Sequence, residues 1–328
     1  MLVTGPNGSG KTNLLEALHV GTQGFSPRTR SDVQLVRRGA DRARIVLAGK
    51  RADVATSLEV TLGVGEAKRA RLNGAVLPSV ERLRGEVATL VFTPDRLAVV
   101  KGGPAARRAY FDRVLARLYP SRASLPLEYG AALGQRNAAL RRAAAAASSR
   151  DAVAPWTSQI VELGTSLVAA RRDAIDLLSP GFAERAEELG LGAAALAYDA
   201  EPPTAAALDE RLDRDLERGV TGIGPHLDDV GIRSGDRDLR IYGSQGEQRL
   251  SVLSLLLAEA ELLAGRRGVP PLLLLDDVLS ELDAGRRRIL SDRIGVTGQA
   301  VVTATGAEAL PLVPAQLLAV TPGEVRRG

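Results

Sequence analysis

Gly5 to Thr12 read Gly-Pro-Asn-Gly-Ser-Gly-Lys-Thr, with glycine at positions 5 and 10 and the pair Lys11-Thr12 directly behind the second. This spacing makes a phosphate cradle. Glycine lets successive backbone N–H groups turn inward around phosphate oxygens, and a following helix adds the positive end of its dipole. Gly5, Pro6, Asn7, Gly8, Ser9, Gly10, Lys11 and Thr12 are therefore the candidate residues for binding a nucleotide's phosphates. Lys11 is expected to reach the β- and γ-phosphates and the Thr12 hydroxyl to ligate Mg²⁺. Lysine occurs elsewhere only at Lys50, Lys68 and Lys101, every other basic residue being arginine. A compact ammonium suits a phosphate loop better than a planar guanidinium, which could hold lysine at position 11 against that bias.

A second chemical element lies far along the chain. The apolar run Leu272 to Leu275 ends in Asp276-Asp277. An apolar strand ending in an acid sets a carboxylate at its C-terminal edge, beside the metal of a bound nucleotide. Asp276 is the candidate metal-side residue with Thr12. Asp277 is placed to orient or deprotonate the attacking water and joins Lys11 as candidate catalytic residue. Alone, this stretch also reads as a strand followed by a capped turn; the complete phosphate loop favours chemistry. Ser280-Glu281-Leu282-Asp283 follows at short range, and Ser244-Gln245-Gly246-Glu247-Gln248 lies upstream, just before an apolar helical stretch. A serine with glycine at a helix start is a second anion site, although alone it reads equally as an N-cap.

These residues need strands and helices to hold them. Leu2-Val3 reads as a short strand before the loop, and Asn13 to Val20 as a helix with Leu14, Leu15 and Leu18 inward. Residues 45–92 are β-rich. Ser57 to Leu62 alternates polar and apolar, and Asn73-Gly74 sits between strand-like flanks as a type I′ hairpin turn. Ala88 to Phe92 is a further strand, stopped by Pro94. Alanine and arginine then dominate. Helices are expected at Arg107 to Leu118, Leu127 to Ala147, Trp156 to Leu178 and Pro203 to Arg218, with Pro155 and Ser179-Pro180-Gly181 as breaks between them. The β/α pattern returns with a helix at Leu250–Leu263, a buried parallel strand at Leu272–Leu275 and another at Val301–Thr305. The organisation expected is an α/β head from 1–94 and 236–328, interrupted by a mainly helical insert from 95–235.

Composition excludes several classes. The 328 residues are 45% hydrophobic and 25% charged, as in globular proteins. Cysteine is absent, so disulfides and thiolate metal sites are excluded and a reducing compartment is compatible. No apolar run approaches the roughly 20 residues of a transmembrane helix. The apolar start is cut off at Gly5-Pro6, unlike a signal peptide. Net charge is +4, from 43 basic and 39 acidic residues, which permits a basic face for nucleic acid without demanding one.

The stretches GPNGSGKTN, YGSQGEQR and LLLLDDVLSELD together make the chain resemble the RecF family, bacterial DNA-repair ATPases of the ABC/SMC class. Phe92-Thr93-Pro94-Asp95, Val100 to Pro104, Arg107 to Asp112, Gln135-Arg136-Asn137, Gly222 to His226, Asp228-Asp229 and Val302 to Thr305 agree with it. The resemblance implies an ABC-type P-loop ATPase head with a large helical insertion, ATP and Mg²⁺ as cofactors, and an ATP-dependent homodimer that meets head to head. It implies slow, DNA-stimulated hydrolysis, binding to duplex DNA and to single-strand/duplex junctions, RecA loading with RecO and RecR, and a cytoplasmic location. Carried over, Ser244, Gln245, Gly246 and Glu247 form a signature facing the partner's γ-phosphate, and Asp283 lies at the dimer seam.

The chain also departs from the family pattern. It begins close to its phosphate loop, so a truncated gene model or late start is expected, with a head sheet lacking its N-terminal strands. Leu227 stands where arginine is usual, and Glu247 where glutamine is frequent. Arg37, Arg38, Arg107 and Arg108 are candidate DNA phosphate contacts, with Arg42, Arg44, Arg69, Arg71, Arg141 and Arg142 as weaker ones. Aromatic residues make up 3%, which argues for duplex backbone contact over base stacking. His226 reads as structural, His19 as packing or surface, and Trp156 as a helix-start anchor. Two other functions share part of the pattern: the ATPase subunit of a membrane transporter, which the long insert and the lack of a switch histidine disfavour, and a catalytically impaired scaffold binding DNA or RecR.

Overall fold

The computed structural model describes residues 1–328 apart from positions 30, 52, 281, 297, 312 and 328. The chain divides into two compact units, Met1–Arg96 with Ala260–Gly328, and Leu97–Glu259. In the first unit, strand β1 (Leu2–Thr4) leads through the glycine loop into helix α1 (Lys11–Gln23). Leu15 and Val20 of α1 are buried, and the helix ends at Gly24, whose left-handed backbone (φ 77°) returns its N–H to Val20 O. Only glycine fits there, because a Cβ would stand 2.9 Å from Val80 O.

Strands β2 (Arg42–Arg51), β3 (Val54–Gly63), β4 (Glu66–Leu72) and β5 (Ala75–Val76) follow as an antiparallel sheet in that order. The period-two pattern of β3 turns Leu58, Val60 and Leu62 into a core with Val20 of α1, Ala70 of β4, Val80 and Leu83. Asn73 and Gly74 both have positive φ (49° and 85°) and join β4 to β5 by the expected two-residue turn. Helix α2 (Leu83–Glu86) then leads to β6 (Thr89–Phe92).

The second unit opens with helices α3 (Ala98–Lys101), α4 (Pro104–Leu118), α5 (Leu125–Ala144) and α6 (Ala154–Glu188). Ser179-Pro180-Gly181, expected as a break, lies inside α6. Proline removes one helical hydrogen bond. The flanking Leu178, Phe182, Arg185 and Ala186 are all buried, and Gly181 sits close against Ala258. Tertiary packing on both sides of Pro180 outweighs the local defect. Strand β7 (Ala194–Ala197) and helices α7 (Ala205–Glu210) and α8 (Leu212–Arg218) come next, so the helix expected over Pro203 to Arg218 is interrupted at Arg211. Strands β8 (Gly231–Ser234) and β9 (Arg237–Asp238) complete a small antiparallel sheet in the order β7-β8-β9.

Helix α9 (Gln245–Arg267) contains the second division of the chain, at 259/260, where the sequence pattern placed it at 235/236. The first part of α9 belongs with the helical unit: Ala258 packs on Gly181 of α6, and Glu259 pairs with Arg117 of α4. The chain closes with β10 (Leu272–Leu275), α10 (Ala284–Val296), β11 (Ala300–Ala304), β12 (Leu317–Thr321) and β13 (Glu324–Arg327). Among the described residues the head sheet has the order β13-β12-β1-β11-β10-β6, parallel except for the β12–β13 pair. Strand β11 thus lies between β1, which feeds the glycine loop, and β10, which ends in the two acids. Val3, Leu15, Val91, Leu274, Val301 and Val320 form the core beneath them.

Candidate functional site

The glycine loop is built for close approach. A Cβ at Gly5 would lie 2.3 Å from Val320 O and 2.8 Å from Ser9 Oγ, while Gly8 and Gly10 take left-handed backbone (φ 80° and 105°). Among the described residues no side chain caps α1 at Gly10, so the N–H groups of Lys11, Thr12 and Asn13, ahead of the Leu14 N–H that bonds Gly10 O, have no intrahelical acceptor. Ser9 is 5% exposed and its Oγ has no hydrogen-bond partner among the described residues. Lys11 Nζ donates to Gly5 O at 2.7 Å and to Pro6 O at 3.0 Å, which folds the ammonium back over the loop.

The acids close the other side. Thr12 Oγ1 donates to Asp276 Oδ2 at 2.9 Å and Oδ1 at 3.1 Å, and Thr303 Oγ1 donates to Asp276 Oδ1 at 2.8 Å. Asp276 is buried, whereas Asp277 is exposed in left-handed backbone (φ 49°). The loop residues, Thr12, Asp276 and Asp277 therefore meet in one place in the head. A buried hydroxyl without a partner among the described residues, a loop of three glycines with positive φ and uncapped helix amides fit the phosphates of a nucleotide. The Thr12 hydroxyl and Asp276 carboxylate are hard oxygen donors of the kind Mg²⁺ takes when phosphate and water complete its shell. No group of three or more His, Cys, Asp or Glu side chains capable of holding a metal gathers among the described residues.

The candidate signature is an exposed helix start in the other unit. Glu247 N–H donates to Ser244 Oγ at 3.2 Å, and Ser244 N–H donates to Glu247 Oε2 at 2.8 Å. This reciprocal pair is a capping box, and it accounts for glutamate at position 247. Arg237 holds the other carboxylate oxygen at 2.8 Å, and that hydrogen bond, followed by those from Ser244, draws the Glu247 carboxyl below its usual range. Gln245 and Gly246 are exposed beside it. Asp283 is exposed at the start of α10, where Oδ1 accepts Arg286 N–H at 2.9 Å. Glu281, in the same motif, lies outside the described residues.

The arginines divide. Arg37 and Arg38 are exposed, as a phosphate contact requires. Arg107 corrects the sequence reading. It is 3% exposed, grips Asp229 with Nε and Nη2 at 2.6 and 2.7 Å, and donates to Gly102 O at 2.8 Å. Its guanidinium is consumed inside the helical unit. Arg108 is half-buried and donates to Asp228 O at 2.6 Å, so it too faces inward. Arg42 and Arg44 pair with Glu66 and Glu59 across the antiparallel sheet.

Sequence reasoning missed the polar clamp around residues 221–230. Arg136 of α5 is fully buried and reaches Asp215 and Thr221, and Arg171 of α6 reaches Asp112 and Pro225 O. His226 is locked between Tyr129 Oη, 2.8 Å from Nδ1, and Thr221 O, 3.0 Å from Nε2. Leu227 is exposed beside them. Gln135-Arg136-Asn137 and Gly222 to His226 drew notice only as separate stretches; nothing in their spacing shows that they meet. His19 is buried, with Nδ1 2.9 Å from Phe25 O.

Comparison with known proteins places the chain in a family. The sequence family described as the RecF/RecN/SMC N terminal domain matches residues 1–324. The DNA replication and repair protein RecF of Symbiobacterium thermophilum is 37% identical over 93% of this chain and 85% of its own length. The corresponding protein of Acidothermus cellulolyticus is 38% identical over 91% and 85%. A solved structure of the recombination mediator protein RecF with ATP, from the RecFOR pathway, superposes with a TM-score of 0.88 at 27% identity, covering 100% of this chain and 91% of that one. An Smc head bound to the winged-helix domain of ScpA shares the fold alone, at 14% identity and a TM-score of 0.58. Matched by this family model over nearly its whole length and 37–38% identical to curated RecF proteins over more than nine-tenths of it, the chain belongs to the RecF family of DNA replication and repair proteins.

Proposed function

We propose that this chain is an ATP-dependent DNA-binding protein of recombinational repair and replication-fork maintenance. The observation that carries the reading is the meeting of Thr12 with Asp276 at the mouth of the glycine loop. Gly5 to Thr12 would hold the phosphates of ATP, with Lys11 released from Gly5 O and Pro6 O to the β- and γ-phosphates. Thr12 and Asp276 would hold Mg²⁺, which when bound draws charge from the terminal phosphate. Asp277, exposed at the turn after β10, would orient the attacking water and accept its proton.

Ser244 and the backbone of Gln245-Gly246 would meet the γ-phosphate held by a second copy, with Glu247 fixing the serine through the capping box and Asp283 at the seam. Arg37 and Arg38 would touch the phosphates of duplex DNA and of single-strand/duplex junctions. In this reading hydrolysis is slow and stimulated by DNA, and the chain works in the cytoplasm with RecO and RecR to load RecA.

The test is purified protein in a nucleotide-binding assay and a duplex-retention assay with and without ATP, beside Lys11→Ala and Asp277→Ala. The expected outcome is ATP-dependent duplex retention lost in Lys11→Ala, and turnover lost in both variants. Protein that neither binds ATP nor retains duplex in its presence overturns the proposal, and ATP binding without any wild-type turnover reduces it to a scaffold.

A further inference from the structure

One hydroxyl serves both acids at the end of β10. Thr303 Oγ1 donates to Asp276 Oδ1 at 2.8 Å and accepts the Asp277 N–H at 2.9 Å. Thr303 is fully buried. The reason is topological. Strand β11 lies between β1 and β10, in a register that pairs Val3 with Thr303 and Leu275 with Val302. Thr303 therefore falls beside the first residue after β10 and level with Val3, one residue before the end of β1. On the opposite side, the Asp276 N–H donates to Phe92 O of β6 at 2.9 Å. Asp276 is held through its backbone by β6 and through its carboxylate by Thr303 and Thr12.

Asp277 is held differently. In a continuing strand its side chain would take the face opposite Asp276. Instead its backbone is left-handed (φ 49°), a conformation uncommon for residues other than glycine. The chain turns there and the carboxylate emerges to solvent. The N–H of this turn is satisfied by Thr303 Oγ1, and its C=O accepts Ser280 Oγ at 3.1 Å.

We propose that Thr303 is a positioning residue, whose single hydroxyl sets the Asp276 and Asp277 carboxylates relative to each other. This rests on the reading of those acids as part of the ATP site. Valine has the same branched shape and can neither donate nor accept. Serine can do both. Cysteine is close to serine in size and forms only weak hydrogen bonds.

The experiment compares full-length wild type with Thr303→Val, Thr303→Ser and Thr303→Cys. It reads amide hydrogen exchange over Leu272 to Leu279, and the gain in affinity for a fluorescent ATP analogue when Mg²⁺ is added to protein in chelator. Thr303→Val and Thr303→Cys are expected to keep the Mg²⁺-free affinity. Their exchange should quicken, and their Mg²⁺-dependent gain fall, each by about tenfold or more, as loss of a hydrogen bond to a charged group implies. Thr303→Ser is expected to restore both. Wild-type exchange and Mg²⁺ gain in the valine or cysteine variant overturn the proposal. So does a serine variant that behaves like valine, because the methyl rather than the hydroxyl would then hold the acids. A wild type that binds no analogue refutes the ATP reading alone, and the exchange comparison still decides the role of Thr303.

Discussion

Thr12 Oγ1 donates to both carboxylate oxygens of Asp276, at 2.9 and 3.1 Å, across 264 residues of chain. The helical insertion lies in sequence between these two positions, yet the sheet brings the first turn of α1, which follows β1, to the end of β10, two strands away. The hydroxyl that belongs to the phosphate loop and the carboxylate that belongs to the acidic strand are in direct contact.

Lys11 has no role in holding the fold beyond its two bonds to carbonyls of its own loop. Lys11→Ala should keep the wild-type unfolding midpoint and lose about 10- to 100-fold in ATP affinity, the weight of one or two bonds to a charged group. Calorimetric titration measures the affinity; an unchanged value would remove Lys11 from the site.

Gly5 is fixed by Val320 O, 2.3 Å from the place of its missing Cβ. Gly5→Ala must push apart the loop and β12, and should destabilise the head by about 1–3 kcal/mol. Denaturant unfolding of the two proteins tests this.

The Arg136–Asp215 pair is 1% exposed on both sides, and the guanidinium also donates to the Thr221 and Thr157 hydroxyls. Asp215→Ala leaves a buried cation unpaired and should lower stability by about 3–5 kcal/mol. The exposed Arg44–Glu59 pair is the control: Arg44→Ala should leave the denaturation midpoint where it was.

Glu247 predicts a pH dependence. Its folded pKa lies below the ordinary 4.5, through Arg237 first and then Ser244. The stability it contributes is present in full above pH 4.5 and is lost as pH falls through the folded value. Glu247→Gln should abolish this part of the acid slope, as denaturation midpoints taken from pH 6 down to pH 3 would register.

His226 has the opposite origin and the same direction. Burial lowers its pKa from 6.5; Arg108 pushes the same way, while the Thr221 carbonyl, Asp228 and Asp215 oppose it. With Nε2 facing a carbonyl, the neutral ring that burial favours carries its hydrogen on Nε2 and accepts from Tyr129 at Nδ1. The unfolded chain binds a proton that the folded chain refuses, so stability falls as pH drops below 6.5. His226→Gln should flatten the slope between pH 7 and pH 5.5.

Much of this protein is legible in its sequence because the relevant physics is local. The glycine spacing around Lys11 dictates the loop, Asn73-Gly74 dictates a two-residue turn through its positive φ angles, and four leucines ending in two aspartates dictate a buried strand with an acidic edge. Each depends on neighbours a few residues away. The rest depends on partners remote in the chain. Pro180 reads as a break, and only the packing of Leu178, Phe182 and Gly181 carries α6 through it. Arg107 reads as a surface cation until Asp229 captures it. Thr303 reads in its own stretch only as part of a strand, since its task follows from the order β1-β11-β10, which sets one hydroxyl between a phosphate loop and two acids. Strand order and side-chain partners arise from long-range burial, and a local pattern cannot encode which distant residue fills the remaining place.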